Sequence, residues 1–350
     1  MVMSVYNGEK YVAEAIESIL GQTFSDFEFT IIDDGSSDNT LGIIQDYASR
    51  DGRIQLIENE KNIGLALSLN KGIEVSRGNY IARMDADDIS LPDRFANQVD
   101  FLESHPEIWI LGCNVQHIDD KGGVLYDEYF TSDPGVLRWN MMLGAMGIAC
   151  HSACMIRKEL FYEVGFYKDV PTSQDHELFC RLFFMDDLPI RNLPVVLGCV
   201  REHKGRLSSG NHDLQFDTSN EIRVRLMNQF MGKNLPKEVS AAYREIRRQK
   251  YTLNELNFFL HTWLAIYEKF VRTFKISETG RKIIRQQLLS RFGSYLSINP
   301  LQAILNKRPS LWRELITNRY LSFQDYGYLF SVNRRLNILT SSFSSAPGER

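Results

Sequence analysis

Phe27-Glu-Phe-Thr-Ile-Ile-Asp33-Asp34-Gly35-Ser36-Ser37-Asp38 contains the repeating unit of the fold. An apolar run reaches Ile32, two carboxylates follow at once, and a glycine turns the chain. From Asn39 to Ala48, Leu41, Ile44, Tyr47 and Ala48 then recur at helical spacing. The unit is a strand, an acidic turn and a helix. The same alternation runs outward in both directions. Val2 to Tyr6 reads as a strand, followed by a helix carrying Val12, Ala15, Ile16, Ile19 and Leu20. Downstream, Ile54 to Ile57 is a strand, Leu65 to Val75 a helix, and Tyr80 to Met84 a strand ending in Asp85-Ala86-Asp87-Asp88. Apolar strands alternating with helices predict an α/β domain, Rossmann-like, with a mostly parallel sheet flanked by helices. In such sheets, ligands gather outside the carboxyl ends of the strands. Pro92 is predicted to open a helix to Leu102, Trp109 to Val115 a further strand, and Asp119 to Pro134 a polar loop.

The net charge of −4 hides two opposed regions. Residues 1–210 hold 18 Lys+Arg against 33 Asp+Glu, or −15, whereas residues 211–350 hold 22 against 11, or +11. Beyond 210 the pattern turns helical: 221–231, 239–250, 252–274 and 281–289 repeat apolar residues every three or four positions. We therefore expect a 1–210 domain, a basic α-helical region over 211–338 and a flexible tail at 339–350. The globular composition excludes whole-chain disorder. The N-terminus, MVMSVYNGEKYV, shows no basic stretch followed by an apolar one, and the apolar run Met141 to Cys150 is far too short to span a bilayer. A cytoplasmic protein is expected. Five scattered cysteines, an odd number, point to reduced thiols in the core. Cys150-His151-x-x-Cys154 invites a zinc reading, but a closed site needs about four ligands and no second pair stands at matching spacing.

The acidic clusters carry the chemistry. Asp85, Asp87 and Asp88 at one strand end repel one another unless a cation compensates, and Mg²⁺ or Mn²⁺ shared with substrate phosphates is the usual compensator. The plain alternative is a solvated loop capping the helix after Pro92. Asp33-Asp34 also ends a strand, where a carboxylate can accept from a nucleobase or a ribose hydroxyl. Asp38 or Asn39 would cap the next helix. No GxGxxG follows the first strand and no GxxxxGK[ST] occurs, which removes the main support for dinucleotide and P-loop readings.

Taken together these residues resemble glycosyltransferase family 2, the inverting, metal-dependent nucleotide-sugar transferases of GT-A fold. Matching segments run in order: Ser4-Val-Tyr-Asn7, Ser18-Ile-Leu-Gly-Gln-Thr-Phe24, Asp33 to Asp38, Asn62-x-Gly64, Tyr80 to Ile89, Pro92-x-Arg94, His151-x-x-x-Met155, Gln174-Asp175-x-Glu177-Leu178-x-x-Arg181 and Arg201-x-His203. The resemblance implies a nucleotide-binding half at 1–95 and an acceptor-binding half at 96–210. It implies that Val5, Tyr6, Asn7 and Glu9 line the nucleotide pocket, that Asp34 binds the base, that Asn62 lies near the nucleotide and that Asp85 faces ribose or donor sugar. Asp87 would bind a Mn²⁺ or Mg²⁺ ion bridging the diphosphate, with Asp88 a second candidate ligand and His203 completing the shell. For His203 a plain surface-loop histidine is the alternative. His151, Gln174 and Arg181 would lie on the acceptor side and Asp175 would be the catalytic base.

An inverting transfer needs a base opposite the leaving nucleotide, and an aspartate is already ionised at neutral pH. An acceptor hydroxyl is far less acidic, so its proton must move late, as the new bond forms. The alternative for Asp175 is a simple helix N-cap. Gln174 stands where many members carry Glu; an amide still hydrogen-bonds but contributes no charge, which bears on acceptor choice. Members usually carry several residues ahead of the segment matched by Val2, so the first strand is expected to be short, with stability affected before catalysis.

The function implied is hexose transfer from a nucleotide diphosphate sugar, a UDP-sugar foremost, to a saccharide or lipid-linked glycan in bacterial surface polysaccharide synthesis. A catalytically degenerate scaffold or glycan-binding subunit is the non-enzyme alternative. A sugar-1-phosphate nucleotidyltransferase would want a glycine-rich basic loop that Ser4 to Lys10 does not supply. Beyond 210, Arg244, Arg247, Arg248 and Lys250 cluster on one predicted helix and Arg281, Lys282 and Arg285 on another. Basic amphipathic helices fit docking on an anionic membrane, which would place the enzyme on the inner face, and fit equally a bundle or homodimer contact. Nucleic acid is not an expected partner, since no reader motif appears.

Overall fold

The structure, a computed structural model, describes residues 1–144, 147–206, 212–245 and 253–298. It falls into two compact units, Met1–Phe230 and the chain from Met231 onward.

The first unit begins as the periodicity predicts. Strands β1 (Val2–Val5), β2 (Phe29–Asp33) and β3 (Ile54–Glu58) pair in parallel in that order, and helices α1 (Val12–Leu20), α2 (Thr40–Arg50) and α3 (Leu65–Val75) connect and follow them. Every residue of β1 and β2 is buried, as a parallel sheet covered on both faces requires. Val12, Ile16 and Ile19 of α1 pack with Met3, Phe29, Ile31 and Ile44. Each such side chain stabilises by about 1.5–3 kcal/mol when fully buried. The register sets Val5 beside Asp33 and Asp33 beside Glu58, so the carboxyl ends of the three strands are level. That row positions the site.

A second sheet follows the order β4-β8-β6-β9-β5, with β7 on β6. Its strands are β4 (Tyr80–Ala82), β5 (Ile89–Ser90), β6 (Ile110–Ile118), β7 (Val124–Glu128), β8 (Met155–Arg157) and β9 (Ile190–Arg201). Only β6 and β9 pair in parallel here; the other pairs are antiparallel. A parallel bridge between Val2 and Arg83 links the sheets. Helices α4 (Arg94–Ser104), α5 (Pro134–Leu143), α6 (Glu159–Val164), α7 (Gln174–Arg181) and α8 (His212–Met231) complete the unit. The sequence reading differs in detail. The strand from Tyr80 stops at Ala82; the Arg83 amide still donates to the Cys154 carbonyl at 3.0 Å, and Arg83 bridges Val2 of the first sheet. The segment expected to be a loop holds β7, an edge strand whose mostly exposed Val-Leu-Tyr-Asp-Glu carries no buried face to alternate.

From Met231 onward the described elements are helices α9 (Lys237–Glu245), α10 (Leu253–Thr273) and α11 (Glu278–Ile298). Trp263 is buried among them and its Nε1 donates to the Val239 carbonyl at 3.0 Å. No described helix is long and apolar enough to cross a membrane. Arg247, Arg248, Lys250, the side chain of Arg244 and the tail expected at 339–350 lie outside the described residues.

Candidate functional site

At the level carboxyl ends, the turn after β1 is laced to the turn after β2. Asn7 sits in the left-handed region (φ 52°), which asparagine tolerates, and its Oδ1 accepts from the Ser37 amide at 2.8 Å. Its own amide donates to Ser36 Oγ at 3.0 Å. The Gly8 amide donates to Thr40 Oγ1, and Glu9 accepts from the Asn39 amide while its amide donates to Asp38. Asn39 is the N-cap of α2 without a side-chain bond; Asp38 accepts from the Thr40 amide. Val5 is buried and Tyr6 is 51% exposed on this rim.

Asp34, expected at the nucleobase, is 2% exposed with both oxygens engaged. Oδ1 accepts from Asn59 Nδ2 and the Ile63 amide, each at 2.9 Å, and Oδ2 from the Gly64 amide at 3.0 Å. In this arrangement it organises the 59–64 loop, where Asn62 is exposed and its Oδ1 also accepts from Gly64.

Asp85, Asp87 and Asp88 offer oxygens that all lie within 4.8 Å of one another. The cluster does not cap α4, whose N-cap is Asp93, and Asp88 is buried. Arg83, itself buried, grips Asp85 Oδ1, and the Asp85 amide donates to Ser152 Oγ at 2.9 Å. Asp88 Oδ1 accepts from the Arg201 amide at 2.8 Å, while its Oδ2 is buried without a hydrogen-bond partner. The Arg201 guanidinium holds the Asp87 carbonyl and pairs with Glu14 at 2.6 Å. His203 Nε2 lies 2.8 Å from Asp87 Oδ2, and its Nδ1 accepts from the Gly205 amide, which leaves Nε2 as the donor. Burial, then the charges of Asp87 and Asp85, push the Asp88 carboxyl up to about 7; burial and Asp85 raise Asp87 too, with His203 opposing. Clustered carboxylates, an orphaned buried oxygen and an imidazole fit a hard divalent cation.

Asp175 is the second residue of α7, behind Ser173 in the left-handed region (φ 62°), so it is not the N-cap. It is half-buried, and burial raises its carboxyl against the His176 amide and the positive charge of Arg83; Asp85 adds to the rise. The charges of Arg83 and Asp85 thus both reach Asp175.

The three residues assigned to the acceptor side are all tied into the scaffold or packed beneath it. His151 is buried, its Nε2 2.7 Å from the Tyr167 hydroxyl, and burial with Arg83 holds its pKa well below the usual value. Gln174 is buried at the first position of α7. Arg181 donates to the carbonyls of Val164, Gly165 and Phe166 and pairs with Glu177 at 2.8 Å, so its guanidinium holds the turn before Tyr167. The zinc reading finds no support: the Cys154 thiol donates to the Cys150 carbonyl, and burial pushes it up to about 12. Arg83, Arg94 and Arg201 stand in the matched sequence segments with no role legible from the sequence. Arg94 is fully buried, with its guanidinium on the carbonyls of Arg83, Ser152 and Cys154.

The profile described as Glycosyl transferase family 2 matches residues 1–165. The putative glycosyltransferase EpsE of Bacillus subtilis is 36% identical over 209 residues, covering 58% of this chain and 72% of the relative. The amylovoran biosynthesis glycosyltransferase AmsE of Erwinia amylovora is 30% identical over 203 residues, covering 57% and 75%. Among solved structures, S. aureus TarS 1-349 in complex with UDP-GlcNAc superposes with a TM-score of 0.55 at 16% identity, over 86% of this chain and 90% of that one. That likeness is one of fold.

Proposed function

The chain belongs to glycosyl transferase family 2, and from that premise we propose that this glycosyltransferase moves a hexose from a nucleotide diphosphate sugar to a saccharide or lipid-linked glycan, with inversion and with a divalent ion. The observation that carries the reading is the Asp85–Asp87–Asp88 cluster with His203 on Asp87, at the strand ends and within electrostatic reach of Asp175. Residues 1–95 would hold the nucleotide and 96–210 the acceptor. Asp87, Asp88 and His203 would hold Mn²⁺ or Mg²⁺, which when bound supplies positive charge to the leaving diphosphate. Tyr6, with Val5, Asn7 and Glu9, would frame the nucleotide, and Asp34 would act by fixing the Asn62 loop as well as by facing the base. Asp85, oriented by Arg83, would face the donor sugar. Asp175 would take the acceptor hydroxyl's proton as the bond to the anomeric carbon forms; its burial makes it a better base than an exposed carboxylate.

The relative named for amylovoran biosynthesis supports a role in polysaccharide synthesis, and the UDP-GlcNAc held by TarS makes UDP-sugars the first donors to test. The intact carboxylates favour an enzyme over a scaffold. Calorimetry with UDP and Mn²⁺, followed by transfer assays, tests the assignment. Asp175→Asn is expected to keep UDP binding and lower turnover at least about a hundredfold. Asp87→Ala should lose the gain in UDP affinity that Mn²⁺ gives the parent. Normal turnover in the first variant removes Asp175 as the base, and an undiminished Mn²⁺ effect in the second removes Asp87 from the ion.

A further inference from the structure

His117, in β6, is 6% exposed and sets both ring nitrogens against carboxylates. Nδ1 is 2.8 Å from Glu202 Oε1 and Nε2 is 3.1 Å from Glu128 Oε2. A neutral imidazole has one N–H, so both contacts are hydrogen bonds only when the ring is protonated. Tyr126 lies nearly parallel over the ring, centroids 4.3 Å apart and planes 12° from parallel. Glu128 and Tyr126 belong to β7, whereas Glu202 follows β9, so one imidazolium joins two elements. Glu202 is fixed further: its amide donates to the Ile118 carbonyl at 2.8 Å and its Oε1 accepts from Arg206 at 2.8 Å. The next residue is His203, on Asp87, and the charges of Asp88, Asp85 and Asp87 act on Arg206.

We propose that His117 is a positioning residue for the cation side of the site: its ring ties Glu202 to β7 and so fixes where His203 and Arg206 stand against the acidic cluster. The inference rests on the reading of Asp87 and His203 as ligands. The charged groups facing the ring are Glu128 and Glu202, with Arg206 behind Glu202. Burial works to lower the imidazole's pKa, and the two carboxylates override it, leaving it above the ordinary 6.5. Once the ring loses its proton, a nitrogen lone pair meets a carboxylate and one contact breaks. The clamp is complete below about pH 6.5 and opens as pH rises through the folded-state value.

Two measurements on the full chain test this. NMR titration of the metal-free protein is expected to place His117 above 6.5, and Glu202→Gln or Glu128→Gln should lower it; a value at or below 6.5 in the parent overturns the clamp. Asp88 must give up its raised proton to hold the ion, which strengthens binding with pH in every variant, so the clamp is read by comparing variants. In calorimetry of UDP with Mn²⁺ at about pH 6 and about pH 8.5, the parent should gain several-fold less over that interval than His117→Gln, which lacks the clamp at both; that shortfall is the clamp's step. Glu128→Gln, at the partly exposed edge strand, should move the step to lower pH and serves if His117→Gln does not fold. An equal gain in the parent and these variants sinks the inference. If the parent binds no UDP with Mn²⁺ at either pH, the ligand reading fails instead, while the NMR value still reports on the clamp.

Discussion

Arg83 shows how much one buried side chain decides here. Its guanidinium grips Asp85, its Nε is buried without a partner, and its charge opposes the rise that burial imposes on Asp175. If Asp175 must be ionised to accept a proton, activity falls as pH drops through its raised pKa, so the acid limb of kcat/KM should lie above the ordinary 3.8. Removing the nearby cation raises that pKa further. Arg83→Gln is therefore expected to move the acid limb to higher pH, and Arg83→Lys to restore most of its position; superimposable limbs in parent and Arg83→Gln would separate Arg83 from the base. The acidic residues were legible in the sequence because three carboxylates at a strand end are costly without a cation. Arg83, Arg94, Arg201 and His117 were not, since a buried cation and a solvated one look alike in sequence and only the packing reveals their carbonyl and carboxylate partners.

At the scale of elements, β1, β2, α1 and α3 could be read from periodicity because each buries a regular face of the core. The strands β5 and β8 have two and three residues, too few to show a period, yet three of the second sheet's four antiparallel pairs run through them, the fourth being β6 with β7. What joins the elements at the site is loop lacing, and at Gly35 it brings backbone close against backbone. The glycine's φ is +73°, and a Cβ there would lie 2.7–2.8 Å from backbone atoms of Lys61 and Asn62. Gly35→Ala is expected to cost roughly 2 kcal/mol or more, from left-handed strain plus displacement of that loop. Urea unfolding should show a lower midpoint, and calorimetry weaker UDP binding because Asn62 moves. Gly52→Ala, with nothing within 4 Å of the new methyl, is the control and should leave both nearly unchanged. Equal effects at the two positions would mean that the contact with Lys61 and Asn62 does not constrain the site.

Across the whole molecule, the charge is −15 over residues 1–210 and +11 over residues 211–350. Part of the negative charge is the cluster that fits a cation. For the positive charge we propose an anionic membrane as the partner, and α11 has the arrangement such a surface would use: Arg281 and Lys282 are exposed, while Ile284 and Leu288 on the same helix are buried. Arg285 is half-buried and held by the Tyr267 hydroxyl at 3.3 Å, so it is the wrong residue to change. Each exposed cation near an anionic bilayer contributes about 1 kcal/mol, so reversing Arg281 and Lys282 to Glu removes at least about 2 kcal/mol, roughly a thirtyfold loss in vesicle affinity. Sedimentation with phosphatidylglycerol vesicles at low salt should capture the parent and much less of the double variant, and salt should release both, because the attraction is screened within a Debye length. Vesicles of phosphatidylcholine alone should capture neither. If binding ignores both the reversal and the lipid charge, these two cations do not face a membrane; sedimentation velocity without lipid then tests the homodimer, whose mass should fall to that of a monomer in the same double variant.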